Sequence, residues 1–208
     1  MAINRLSQST AQSAFPKFTN FWDGTTATSA FDSLGSVYLS STASSITFSS
    51  IPQTYTHLQV RGISRNSANV SGDLVQYRLN SDSGSNYFSH WLVGSGAAGG
   101  AVTSSNPGST TAYGVLAYNS ADASYSSNVF GGVIFEILDY ASANKTKPVR
   151  SIFGANSNLS AASANQFVGM VSNIWLSTAA VTSLTIYPFN VGSNTFAANT
   201  TFALYGIK

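Results

Sequence analysis

Short stretches of alternating apolar and polar residues, each bounded by turn residues, restrict the fold of this chain more than any other feature. In HLQVRG, Leu58 and Val60 alternate with Gln59 and Arg61. Similar stretches recur at short intervals to the end of the chain. A period of two places successive side chains on opposite faces of a strand, so these stretches predict β-strands. No stretch sustains the period of an amphipathic helix.

We therefore predict an all-β fold, an antiparallel β-sandwich of jelly-roll-like type, over residues 35–208. Residues 1–34 precede the first clear strand pattern and are predicted to form an extended N-terminal arm. No linker or fixed repeat divides the larger segment, so we expect one domain.

Particular stretches predict particular roles within this sandwich. GVIFEIL (132–138) is apolar on both faces except at Glu136, which predicts a central strand. DYASANKTK (139–147) and SDSGSN (81–86) carry turn residues and predict connectors between strands. The glycine- and serine-rich stretch at 94–111 predicts a long loop at one end of the sandwich.

Charge is scarce, and this bears on the kind of partner the protein has. Charged residues make up 8% of the 208 residues, against roughly 25% in typical globular domains. Aromatic residues make up 12%, so the chain has the material for a core. A surface with so little charge lacks the usual protection against association, which favours a protein that works inside an assembly.

The sequence does not favour nucleic acid or a membrane as a partner, and it does not favour disulfides as a means of stabilising the fold. The nine Lys and Arg residues are scattered, and the one close group, Lys145, Lys147 and Arg150, predicts a solvated hairpin end beside Pro148. No run approaches the roughly 18 apolar residues of a membrane-spanning helix. The chain has no cysteine, which excludes disulfides and thiolate metal sites.

Two stretches imitate ligand-binding motifs. GSGAAG (94–99) matches the dinucleotide pattern GxGxxG, but Pro107 and the absence of a helical pattern after it argue against a cofactor site. Asn80, Asp82, Gly84 and Asn86 alternate as calcium ligands do, but calcium usually needs several carboxylates, and these residues also suit a hairpin turn. We predict neither a cofactor nor a metal.

Catalytic groups are equally sparse, and we predict that the protein is not an enzyme. His57 and His90 are the only histidines, and both lie in strand patterns. Nucleophilic catalysis needs a base beside the nucleophile and a third group that orients the base. The isolated Glu136 does not form an evident carboxylate pair of the glycosidase kind.

Aromatic residues provide the candidate binding sites. AFPKFTNFWDGTT (14–26) contains Phe15, Phe18, Phe21 and Trp22 in a stretch that otherwise has loop composition. These rings either fold back as a plug over one end of the sandwich or form a docking arm that buries them in a neighbouring subunit, where large aromatic side chains supply much of the binding energy. Elsewhere, Trp91 and Tyr113 are candidates for stacking on sugars.

Five segments in order along the chain resemble a family of small structural proteins of tailed bacteriophages, which are frequent in phages of aquatic bacteria, including cyanophages. They are AINRLSQSTAQSAFPKFTNFWDGTT, ITFSSIPQTYTHLQVRGISR, YRLNSDSGSNYFSHWLVGSG, FEILDYASANKTKPVRSIFG and FALYGIK. The similarity spans nearly the whole chain. It implies a β-sandwich or jelly-roll component of the virion without enzymatic activity, and it supplies no functional-site motif.

From these observations we predict a capsid decoration (cement) protein that the N-terminal arm holds on the major capsid shell. The alternative is a receptor-binding module of a tail or head fibre that recognises host surface glycans. Both hypotheses place the protein in the virion, on the capsid exterior or on a tail or fibre appendage. The expected partners are the major capsid protein or other virion proteins. A homotrimer is expected because decoration proteins commonly occupy three-fold positions of a shell.

Overall fold

Two antiparallel sheets pack on each other in a sandwich, which confirms the predicted all-β class. The computed structural model describes residues 30–68, 73–95, 101–105, 110–118, 121–156, 166–190 and 193–208, and within them there are twelve strands and no helix. The strands are β1 (Phe31–Tyr38), β2 (Ile46–Phe48), β3 (His57–Ser64), β4 (Leu74–Leu79), β5 (Tyr87–Ser95), β6 (Ala101–Ser105), β7 (Gly114–Tyr118), β8 (Gly131–Ile137), β9 (Lys147–Asn156), β10 (Gln166–Trp175), β11 (Leu184–Pro188) and β12 (Thr201–Ile207).

The two sheets differ in size. The large sheet has eight strands in the order β1-β12-β3-β8-β9-β10-β5-β6, and the small sheet has four in the order β2-β11-β4-β7. The GVIFEIL stretch forms β8 in the interior of the large sheet, as predicted for a central strand. The strand order is compatible with a jelly roll, which stays a prediction at this finer level.

The core lies between the sheets and follows from the alternation in the sequence. Leu58 and Val60 of β3 are buried on the inner face while Arg61 is exposed, as predicted. The rings of Tyr77 and Phe135, one from each sheet, stack with centroids 6.4 Å apart. Such rings bury large apolar areas, so they supply much of the driving force for joining the sheets.

Polar side chains also connect the sheets. Asn173 of β10 is buried, and its Nδ2 donates to the carbonyl oxygen of Val115, 2.9 Å away, while its Oδ1 accepts from the Val115 N–H at 3.2 Å. The hydroxyl of Ser151 donates to the carbonyl oxygen of Leu116 at 2.6 Å. These contacts satisfy backbone groups of β7, the edge strand of the small sheet, which would otherwise be buried without partners.

The connectors follow the sequence prediction at 81–86 and 139–147, where turns join β4 to β5 and β8 to β9.

Two boundaries differ from the predicted ones. β1 begins at Phe31, inside the segment assigned to the arm, because its backbone pairs with β12 from Phe31 to Tyr38. The predicted loop at 94–111 contains β6, which pairs with β5 between Gly94 and His90. Backbone pairing with a neighbouring strand outweighs the local glycine-rich composition.

Candidate functional site

The outer face of the large sheet carries a row of exposed apolar side chains that crosses four neighbouring strands. Ile134 of β8 lies beside Ile152 of β9, which lies beside Met170 of β10, which lies beside Leu92 of β5. Their side chains are 47%, 61%, 52% and 51% exposed in that order. We call this row the apolar ridge. Its residues alternate with core residues of the same strands, so they point away from the core.

A second row lies two residues further along the same strands. Gly132, Gly154 and Gly94 occupy this row on β8, β9 and β5, and Val168 of β10 lies between Gly154 and Gly94. We call it the glycine row. Ile63 of β3, which is 51% exposed, pairs with Gly132 and extends the row on one side. The face therefore has a line of long apolar side chains beside a line in which three of five positions are glycine and the other two, Ile63 and Val168, carry exposed apolar side chains.

Polar residues border the apolar ridge on its other side. Glu136 pairs with Arg150 across β8 and β9, and the Arg150 Nη2 lies 3.3 Å from the Glu136 Oε2. Ser172 and His90 continue this polar row on β10 and β5. Arg61 ends the apolar ridge on β3, with its guanidinium carbon 5.4 Å from the centroid of the Tyr205 ring. A polar border around an apolar centre is the usual anatomy of a protein interface.

Two open hollows flank the apolar ridge. One, of about 610 Å³, lies between the ridge and the polar row and is lined by Ile152, Met170 and Arg150 among others. The second, of about 620 Å³, lies on the side of the glycine row and is lined by Ile63, Ile134 and Gly154 among others. Large exposed apolar patches on folded domains often mark sites of interaction with another surface, so this face is the candidate functional site.

The predicted docking residues Phe15, Phe18, Phe21 and Trp22 lie outside the described residues. Their role as a plug or as a docking arm stays a prediction.

The two residues predicted to stack on sugars are partly buried in the sandwich. Trp91 is on the inner face of β5, packs against the core and stacks on Tyr118 with ring centroids 5.6 Å apart. Tyr113, which precedes β7, also packs against the core. The structure does not place these two residues on the apolar face described above.

The calcium-like alternation at 80–86 forms a tight connector between β4 and β5. The Asp82 carboxylate accepts hydrogen bonds from Trp175 Nε1 at 2.7 Å, Asn86 Nδ2 at 2.9 Å and the Gly84 N–H at 2.8 Å. Its oxygens thus stabilise the turn and anchor β10. In the described segments, no group of three or more His, Asp or Glu side chains could hold a metal ion.

The two histidines make different contacts at different places in the structure. His57 Nδ1 accepts a hydrogen bond from the Asp139 N–H at 3.0 Å, which holds the connector after β8 against the start of β3. His90 is exposed in the polar row, and its ring contacts Phe88 edge-on at 4.7 Å between centroids. The structure gives His57 a structural contact and places His90 at the border of the apolar face.

A buried acid, Asp73, directly precedes β4. Asp73 is fully buried and accepts hydrogen bonds from Asn66 Nδ2 and from the Leu74 N–H. Burial raises the pKa of Asp73 to about 6, and the two hydrogen bonds oppose this effect. Since its oxygens are occupied by donors of its own chain, Asp73 serves to order the start of β4.

The cation group at the β8–β9 hairpin is only partly the solvated hairpin end that we predicted. Lys145 and Arg150 have exposed side chains that pair with Asp139 and Glu136, respectively. Lys147, by contrast, is fully buried. Its ammonium group donates to the backbone carbonyl oxygens of Ser142, Lys145 and Thr178.

Sequence reasoning missed the apolar ridge. The signal was present in GVIFEIL, whose outward residue Ile134 is as apolar as its inward neighbours, and in the outward position of Met170 in FVGMVSNIWL. Apolarity on both faces of GVIFEIL predicts a central strand, which is confirmed, but it does not reveal that one face of this strand stays exposed. The structure shows that the described residues cover only the inner face.

Comparison with known proteins finds no match to a protein-family model and none to a curated protein. In the part of the chain that the structure describes, no helix is long and apolar enough to cross a membrane.

Proposed function

We propose that this protein is a non-catalytic structural subunit of a tailed-phage virion, most specifically a capsid decoration protein that its N-terminal arm attaches to the major capsid shell. The observation that carries the proposal is the exposed apolar ridge with its polar border, since a surface of this kind is costly for a protein that works alone. The family resemblance of the sequence supplies the identity of the assembly.

The polar groups of the sandwich support the same proposal. Asp82, Asn173 and Lys147 all bind groups of their own chain, and each of them holds two elements together. These three side chains thus connect strands and loops of the sandwich to one another. A body with scarce surface charge and an apolar face is suited to permanent assembly.

The glycan-binding alternative is not favoured by a specific observation. Both Trp91 and Tyr113 pack against the core, whereas stacking on a sugar requires an exposed ring face. It stays a prediction that a glycan array can test.

Capsids of the encoding phage, purified without this protein, provide the test of the proposed function. The full chain is mixed with them, and occupancy is measured by co-sedimentation and by cryo-electron microscopy. The full chain should decorate the shell. The variant with Phe15→Ser, Phe18→Ser, Phe21→Ser and Trp22→Ser should lose most of its occupancy, because it lacks the aromatic rings of the arm.

Tyr38→Ser provides the matched control, because this residue is a strongly exposed aromatic side chain at the end of β1. It should leave occupancy unchanged. Failure of the parent chain to bind any part of the particle would contradict the proposed function. Binding that survives the loss of all four rings would contradict the role of the arm.

A further inference from the structure

The glycines of the glycine row are not required by the fold of their own chain. A Cβ atom added at Gly132 would meet nothing within 4 Å. At Gly154 and Gly94 the nearest atoms would be 3.5 Å and 3.7 Å away, which is ordinary van der Waals contact. At Gly62, in contrast, the added Cβ would lie 2.3 Å from the Phe202 ring. None of the three has the positive φ that favours glycine.

Glycine within a strand weakens it and often marks a place where another backbone or a ligand approaches closely. Each of the three glycines is two residues from a member of the apolar ridge on the same strand: Gly132 from Ile134, Gly154 from Ile152, and Gly94 from Leu92. The outer face therefore repeats one motif on three strands, a long apolar side chain beside an open position.

This arrangement is self-complementary. A two-fold axis that lies in the plane of the contact, runs across the strands and passes between the two rows would turn a second copy face to face with the first. The apolar ridge of each copy would then lie over the glycine row of the other. Isologous contacts of this kind, in which one surface patch meets itself, are the commonest basis of protein dimers.

We propose that the outer face of the large sheet binds a second copy of this chain, with Ile134, Ile152 and Leu92 of each copy seated over Gly132, Gly154 and Gly94 of the other. On β10 the same operation places Met170 of one copy over Val168 of the other, so on this strand two apolar side chains contact each other. This inference uses the same apolar ridge as the proposed function but goes beyond it, since it concerns the pairing of copies and not their attachment to a shell. It proposes a dimer in place of the homotrimer that the sequence led us to expect.

The size of the face is sufficient for a stable pair. Five neighbouring strands, β3, β8, β9, β10 and β5, and seven residues along each give a face about 24 Å on a side. Its flat area is roughly 580 Å². Because side chains project from the sheet, the accessible area of the face is larger than its flat area. It is then comparable to the roughly 600–1,000 Å² per partner that specific complexes bury.

The charges on the face lie at the border of this pairing. The two-fold operation places Arg61, at the β3 end of the ridge row, over Ile63 of the other copy, and its guanidinium lies over the Tyr205 ring of its own chain. Glu136 and Arg150 form an ion pair with each other at the border, so the pairing buries no isolated charge of the polar row. The two-fold operation places this polar row outside the apolar centre on both sides, where it forms the rim.

Sedimentation velocity of the full chain tests the proposal. The parent should sediment as a dimer at micromolar concentration. Ile152→Lys, which places a charge on the most exposed ridge residue, should raise the dimer dissociation constant by at least about tenfold. Gly132→Leu should do the same by filling the glycine row, because a Cβ atom at this position meets no atom of the described residues within 4 Å and the new side chain projects from the outer face. Leu176→Lys, an exposed leucine beyond the end of β10, is the matched control and should remain dimeric.

Cross-linking tests the register of the pair. The chain has no cysteine, so Ile152→Cys and Gly154→Cys each introduce a single thiol. Packed sheets lie about 10 Å apart, within the reach of a short bismaleimide. A mixture of the two variants should cross-link between unlike chains much faster than either variant alone.

Several results would overturn the proposal. A parent that is monomeric, or an oligomer that persists unchanged in both Ile152→Lys and Gly132→Leu, would exclude the pairing through this face. A monomeric parent whose Phe21→Ser, Trp22→Ser variant becomes dimeric would show that the arm of the same chain covers the face instead. Retained circular dichroism spectra in the ridge and glycine variants establish that they still fold.

Discussion

Replacing Lys147 by methionine removes a buried cation that connects two loops. Its Nζ donates to the carbonyl oxygens of Ser142 at 2.7 Å, Thr178 at 3.0 Å and Lys145. The three N–H groups of the ammonium are thus all used. Burial lowers the pKa of Lys147, while the nearby Asp139 carboxylate opposes this effect. The side chain joins the β8–β9 connector to the segment that follows β10.

The size of the effect follows from these three bonds. Lys147→Met keeps the length and the apolar stem of the side chain but leaves three carbonyl oxygens without their donor. Each hydrogen bond to a charged group contributes about 1.5–3 kcal/mol to stability. The variant no longer has to bury an ammonium group, and this gain offsets several kcal/mol of the loss of the three bonds. We expect the free energy of unfolding to fall by about 2–4 kcal/mol. For a chain of this length each kcal/mol corresponds to about 2–4 °C in Tm.

Urea titration followed by tryptophan fluorescence measures this difference, and thermal circular dichroism provides the shift in Tm. Lys145→Met is the matched control, because its Nζ lies 2.7 Å from the Asp139 Oδ2 on the surface, where 66% of the lysine side chain is exposed. Exposed ion pairs contribute little, so the control should be near the parent. A Lys147→Met variant within about 0.5 kcal/mol of the parent would refute the reasoning.

Three further substitutions test the packing and electrostatics of the sandwich. Gly62→Ala should lower the free energy of unfolding by about 1–3 kcal/mol in urea titration, because the new Cβ would lie 2.3 Å from the Phe202 ring. Asp73→Asn should remove a pH dependence. Because the folded pKa of Asp73 is raised from 3.8 to about 6, the parent should lose about 1–3 kcal/mol of stability as the pH rises through this interval, which titrations at stepped pH measure. Asn173→Leu should lower stability by about 2–4 kcal/mol and accelerate hydrogen exchange at Val115, whose backbone groups lose their partners. Each prediction has its own contradicting result. It is an unchanged free energy of unfolding for Gly62→Ala, a pH dependence of stability that persists in Asp73→Asn, and unaltered hydrogen exchange at Val115 in Asn173→Leu.

Much of the fold could be predicted because strands record their two faces directly in the sequence. Leu58 and Val60 could be placed in the core, and β8 in the interior of a sheet, from the period of two alone. Turn residues likewise marked the connector at 81–86. These features depend on a few neighbouring residues, so local sequence is enough to identify them.

Features that depend on distant partners could not be predicted in this way. Lys147 is buried because Thr178, 31 residues away, supplies a carbonyl oxygen at that point. Asp82 reaches the indole of Trp175, which is 93 residues away. In the sequence, a lysine in a turn and an aspartate before a glycine are typical surface residues, and only the packing of the two loops reveals their contacts.

The apolar ridge shows why the candidate site was missed although its residues were in view. Burial within a chain and burial by another molecule select the same side chains, so the apolar outward position of Ile134 alone cannot distinguish them. The structure separates the two cases, because the small sheet covers one face of β8 and the described residues leave Ile134 and Ile152 exposed on the other. The glycines add what apolarity cannot, since Gly132 and Gly154 leave open a space that the described residues do not fill. An apolar row beside a row rich in glycine fits a surface of matching shape, and we propose that this surface is the same face of a second copy.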